Sequence, residues 1–113
     1  MTDCVFCKII NNAIPSTKVY EDDQILAFRD IAPAAPTHIL VIPKRHIASM
    51  AEITPADSAL IGHIFAKIAD IARDEGIADG FRIASNCGKS AGQTVFHLHF
   101  HIIGGRDLSL TIG

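Results

Sequence analysis

The chain has 113 residues, 49% hydrophobic and 19% charged, with a net charge of −2 and six histidines. That length fits one domain, residues 1–113, whose core needs no disulfides, and the composition excludes a disordered chain. The charge balance lacks the basic footprint of a protein that binds a nucleic-acid duplex, and no apolar run reaches membrane-spanning length, so neither is an expected partner.

In chain order, Cys4 to Asn12 carries Phe6, Ile9 and Ile10 and predicts a short helix, ended by Ile14-Pro15. Val19-Tyr20 and Ile25–Asp30 predict two strands joined by the acidic turn Glu21-Asp22-Asp23. His38–Ile42 is a nearly continuous β-branched run and predicts a central strand. Thr54-Pro55-Ala56-Asp57 is a helix start, with Thr54 as N-cap and Pro55 at the first helical position. Leu60, Ile64, Ile68 and Ile71 then mark one face of a long helix, and Gly76 is its stop. Phe81–Ser85 predicts a strand, Asn86–Gly92 a loop, and Val95–Ile103 a last long strand stopped by Gly104-Gly105. The fold class is α+β: a five-stranded, mainly antiparallel sheet with one long helix and a short N-terminal helix.

Three of the histidines sit at alternating positions, His97, His99 and His101. Alternation along a strand puts them on one face and Phe96, Leu98, Phe100 and Ile102 on the opposite, core face. One histidine there is an ordinary polar surface group. Three at period two serve no packing purpose that Thr or Val would not serve better. Two uses compete: neutral imidazoles as metal ligands, or a neutral imidazole as the nucleophile at phosphorus.

The run His97-Leu98-His99-Phe100-His101-Ile102-Ile103 resembles the histidine triad motif. Phe28-Arg29-Asp30-Ile31, Ala35-Pro36-Thr37-His38, Val41–His46 and Gly92-Gln93-Thr94-Val95-Phe96 resemble the histidine triad nucleotide-binding (Hint) family in the same order, so the likeness spans Val5 to Arg106. The resemblance implies a HIT-like fold and a nucleotide hydrolase or transferase acting at an α-phosphate. His99 matches the nucleophile, His101 a residue bonded to the phosphate region, His97 the first triad histidine, and His38 a fourth histidine beside the nucleophile. Asp30 matches the carboxylate on the ribose hydroxyls, and Ile31 packs beside the base. Asn86, Gly92, Gln93 and Thr94 match the loop around phosphate and leaving group; Val5, Phe6, Ile9, Ile14 and Phe28 match the walls of the base pocket. By their residue types alone, Asp30 reads as a loop cap and Phe6, Ile9 and Phe28 as core, while Asn86 suits a loop cap, Gly92 a turn and Thr94 the opening of a strand as well as the roles above.

Cys4-x-x-Cys7 is half of a zinc site. The resemblance to some bacterial relatives implies completion by His46 and His97, giving a closed and therefore structural tetrahedral set. The competing reading makes the cysteines small apolar residues and His46 a surface residue. His63 and Cys87 match no functional position. The chain has no Trp, whereas several relatives place one near the C-terminus; Leu110 stands at about that place. Ala91-Gly92 also replaces the common Gly-Gly. The reading implied is a purine nucleoside phosphoramidase that needs no cofactor for catalysis, with a structural zinc and a homodimeric assembly. Rival readings are a dinucleoside polyphosphate hydrolase and a nucleotide-binding protein with little catalysis. With three cysteines and no secretory pattern at the N-terminus, the expected location is the cytoplasm.

Overall fold

The computed structural model describes residues 3–112. A first helix, α1 (Val5–Ile10), is capped by Cys4, whose Sγ accepts the Cys7 N–H at 3.3 Å. It ends earlier than Ile14-Pro15 suggests, because Asn12 adopts a left-handed backbone (φ 61°), a conformation Asn tolerates. Strands β1 (Lys18–Glu21), β2 (Ile25–Arg29) and β3 (Thr37–Pro43) follow. Next comes a 3-10 turn over Pro55–Asp57 that leads into α2 (Ser58–Asp74). Its entry is the expected cap: the Asp57 carboxylate accepts the Thr54 N–H at 2.9 Å. Gly76, at φ 74°, is the stop. Strands β4 (Phe81–Ala84) and β5 (Phe100–Gly104) complete one antiparallel sheet in the order β1-β2-β3-β5-β4. The fold is thus the α+β architecture read from the sequence.

Strand alternation divides the interior into two compartments. Ile25, Ala27, Ile39, Val41, Phe100 and Ile102 point to one face and pack with Ile64, Ile68 and Ile71 of α2. Leu26, Phe28, Leu40 and Ile42 point to the other and pack with Phe6 and Ile9 of α1. Strand β3 is buried on both faces along its whole length, as its apolar run predicts. The Leu40↔His101 and His38↔Ile103 registers place both histidines on the α1 side.

The last strand differs from expectation. Paired structure starts at Phe100, not Val95, and Phe96 is half exposed rather than in the core. The reason lies in β3. Its last residue, Pro43, has no N–H to give, and its carbonyl is taken by the His97 ring (Nε2 to O 2.7 Å). The ladder therefore stops at Val41↔Phe100. Residues 95–99 run on without strand pairing, yet Leu98 still enters the α2-side core.

Candidate active site

A cavity of about 340 Å³ opens on the α1 face. Phe6 and Ile9 of α1, Ile14, Phe28 of β2 and Leu40 of β3 form its apolar wall. Asp30 and Ile31, just beyond β2, and Thr94, His99 and His101 also line it, whereas His38 does not. Ile31 is fully exposed at the rim, where an apolar side chain gains nothing until something covers it.

Each histidine around the cavity has one ring nitrogen fixed by its partner. His99 lies 2.7 Å from the His97 carbonyl through Nδ1; a carbonyl only accepts, so Nδ1 carries the proton and Nε2 is left free. Ser85 donates its hydroxyl to the His99 carbonyl at 2.8 Å, and Phe6 meets the His99 ring edge-on, 5.1 Å between centroids. His38 Nδ1 accepts the Ala34 N–H at 2.9 Å, so its proton is on Nε2. That Nε2–H faces His101 Nδ1 at 2.8 Å and a carboxylate oxygen of Asp30 at 3.5 Å. Burial, reinforced by the His99 and His38 rings, pulls the His101 pKa down to about 4. The ring is neutral at physiological pH, and with Nδ1 accepting, its single proton sits on Nε2. Asp30, His38 and His101 lie close enough to suggest a metal site. The tautomers argue otherwise, since His38 has no lone pair left at Nε2.

His97 does not line the cavity. It is fully buried beneath it, and burial lowers its pKa, so the ring is neutral. With Nε2–H donated to Pro43, its Nδ1 lone pair points at the cysteines, 3.3 Å from Cys4 Sγ and 3.6 Å from Cys7 Sγ. His46 Nδ1 lies 3.4 Å from Cys7 Sγ. The four ligand atoms of Cys4, Cys7, His46 and His97 all lie within 4.8 Å of one another. Two sulfurs and two imidazole nitrogens converging on one point are the donor set of a closed tetrahedral zinc centre. The Pro43 carbonyl on His97 is the outer partner that orients such a ligand. Burial and the Cys4 thiol push the Cys7 thiol up to about 11, so a bound cation would displace its proton.

Asn86, Gly92 and Gln93, expected around the phosphate, do not line the cavity. Gln93 is buried, and its amide is spent on the backbone: Oε1 accepts Gly88 N–H at 2.9 Å, and Nε2 donates to Ala48 and Val95 carbonyls at 2.8 and 3.0 Å. It ties the loop to the residues that lead into the triad. Gly92 adopts φ 91°, and a Cβ there would lie 3.7 Å from Asn86 Nδ2. Ala91 has no positive φ, so alanine fits where relatives carry glycine. His63 bonds Asp22 at 2.7 Å. Although burial opposes it, that bond, the Tyr20 hydroxyl and the Gln24 and Ile25 N–H groups hold Asp22 well below the usual carboxylate range. Ser85, Ala34 and Pro43 escape a sequence reading. Two of them act through backbone atoms, and the serine carries no motif.

The geometry agrees with what the chain resembles. The HIT domain family model matches residues 11–108, so the chain belongs to the HIT family. A HIT-like protein of Synechococcus elongatus is 52% identical over 107 residues, covering 95% of this chain and 94% of its own. Protein HitA of Neisseria gonorrhoeae is 48% identical over 104 residues, covering 92% and 97%. A solved HIT family hydrolase from Legionella pneumophila superposes with a TM-score of 0.96 at 45% identity, covering 98% of this chain and 100% of that one. One from Clostridium thermocellum does so with a TM-score of 0.96 at 49% identity, covering 99% and 98%.

Proposed function

We propose that the protein is a nucleotide hydrolase that cleaves purine nucleoside 5′-phosphoramidates through a nucleotidyl-His99 intermediate. The observation that carries this reading is the His99 ring, which lines a cavity of about 340 Å³ and is held through Nδ1 by the His97 carbonyl, leaving Nε2 free. The base lies against Phe6, Ile9, Ile14 and Phe28, covered by Ile31, and the ribose hydroxyls donate to the Asp30 carboxylate. His99 Nε2 attacks phosphorus and the P–N bond breaks. The leaving amine takes a proton from solvent water, one that hydrolysis of the intermediate later returns, with the Thr94 hydroxyl at the rim as its hydrogen-bond partner. The His101 Nε2–H, set by His38, donates to a phosphoryl oxygen as charge builds there. Water then breaks the N–P bond, giving the nucleoside monophosphate and restoring the imidazole. Cys4, Cys7, His46 and His97 would hold a zinc ion, which would cross-link α1 to the segment before β5 and supply structure rather than chemistry. Strand β4 is an edge with half-buried residues, and Phe65 of α2 is 42% exposed; a second copy pairing along β4 covers both.

The test is turnover of adenosine 5′-phosphoramidate against diadenosine tetraphosphate by wild type and His99→Ala, without added divalent metal. The expected result is AMP released from the phosphoramidate, slowed at least roughly 10³-fold in His99→Ala. Preference for the dinucleotide would move the protein to polyphosphate hydrolysis. AMP binding without turnover of either substrate would make it a binding protein.

A further inference from the structure

Helix α1 has six residues, too few to hold together alone. Among the described residues, the hydrogen bonds that tie residues 4–10 to anything beyond Ile14 all run through Cys4 or Cys7. Between those cysteines sits Phe6, packed edge-on against His99 at 5.1 Å and His97 at 6.0 Å. On the other side of the cluster, His97 offers its ring to the cysteines and its carbonyl to His99 Nδ1–H. The thiol–imidazole cluster thus grips the nucleophile by two routes, one through the His97 backbone and one through the Phe6 ring.

We infer that the Cys4–Cys7–His46–His97 cluster is a positioning device for His99, and that closing it around a cation locks the nucleophile's tautomer and ring placement. This rests on the proposed role of His99 but reads out without turnover. A ring free to rotate off the His97 carbonyl can carry its proton on either nitrogen, and only the Nδ1–H form leaves Nε2 as a lone pair facing the cavity. Fixing His97 fixes the acceptor, and fixing α1 fixes the ring that closes the other side. Cys4, Cys7 and His46 touch no substrate in this scheme; they act through His97 and Phe6.

The test uses the full chain with nitrogen-15-labelled histidine, stripped of metal and titrated with Zn²⁺, with Co²⁺ as an optical probe. Long-range imidazole proton–nitrogen spectra at one fixed pH and AMP binding by calorimetry are read at each step. The expected results are one equivalent of metal and a thiolate-to-cobalt absorption lost in Cys4→Ser. The His99 ring should pass from mixed tautomers to the single Nδ1–H form as metal enters, and AMP should bind about tenfold more tightly. In metal-loaded Phe6→Leu, the tautomer mixture should return while the metal stoichiometry stays. That variant decides the matter if the metal-free chain does not fold. Metal uptake that leaves His99 spectra and AMP affinity unchanged overturns the coupling, and a single His99 tautomer in loaded Phe6→Leu overturns its route through the Phe6 ring. Absence of metal uptake overturns both the coupling and the structural zinc. A loaded wild type that binds AMP but cleaves no phosphoramidate sinks the hydrolase reading, and the His99 spectra still decide the coupling.

Discussion

A neutral imidazole has one proton and two places to keep it, and around this cavity the choice is made by groups that can act in only one sense. The His97 and Pro43 carbonyls only accept, and the Ala34 N–H only donates. From these three backbone groups the tautomers of His99, His97, His38 and then His101 follow in turn. Asp30 is a different case, because its role in the proposed function depends on charge. As an ionised acceptor it should hold two ribose hydroxyls, and bonds to a charged partner contribute about 1.5–3 kcal/mol. Asp30→Asn is therefore expected to weaken AMP binding by about tenfold or more. Removing both hydroxyls from the ligand should weaken it comparably, and Asp30→Asn should then add little. Calorimetry on the four combinations measures this coupling. Independent, additive losses would show that the carboxylate is not on the ribose.

At the scale of elements, the parts set by local pattern were legible and those set by distant partners were not. The apolar run of β3, the Thr54–Asp57 cap and the Leu60–Ile71 stripe all announce themselves within a few residues. The start of β5 does not. It depends on Pro43, 54 residues before His97, ending a neighbouring strand and offering its carbonyl to a histidine ring. The triad spacing marks the core side of Leu98, Phe100 and Ile102, but not of Phe96, which lies where strand pairing fails. The cavity residues Phe6, Ile9 and Phe28 look like core by composition; only the family resemblance marked them as a wall. The use of Gln93 as a strut between three backbone segments has no sequence signature. Helix α2 belongs to the legible class and yields a clean expectation. Ile64 is fully buried against the sheet. Ile64→Ala should lower unfolding stability by about 2–5 kcal/mol, measured in urea, while leaving AMP affinity within twofold, about 0.4 kcal/mol. A large loss of affinity in the folded variant would mean the two faces of the sheet are energetically coupled.

For the molecule as a whole, buried neutral histidines give folding a pH dependence of definite sign. The folded His101 pKa lies near 4, below the usual value of 6.5, so the unfolded chain binds the proton more readily between those limits. Its contribution is fully present above about pH 6.5 and is lost as pH falls towards 4. His97, shifted in the same direction by burial, adds to the loss. Thermal melts with a chelator present should show Tm falling steadily from pH 7 to 4.5, with a shallower fall in His101→Gln. A flat wild-type profile would contradict the buried neutral state of these rings.

Strand β3 gives this arrangement a consequence for how the protein can change over time. Its odd-numbered residues Ile39 and Val41 belong to the compartment under α2, and its even-numbered His38 and Leu40 belong to the cavity side. Adjacent codons thus answer to different demands, one to the α2-side packing alone and the next to packing against α1 and, under the proposed function, to the nucleotide as well. If the proposed function holds, ligand preference can drift along one side of a single strand while the packing under α2 is left untouched on the other.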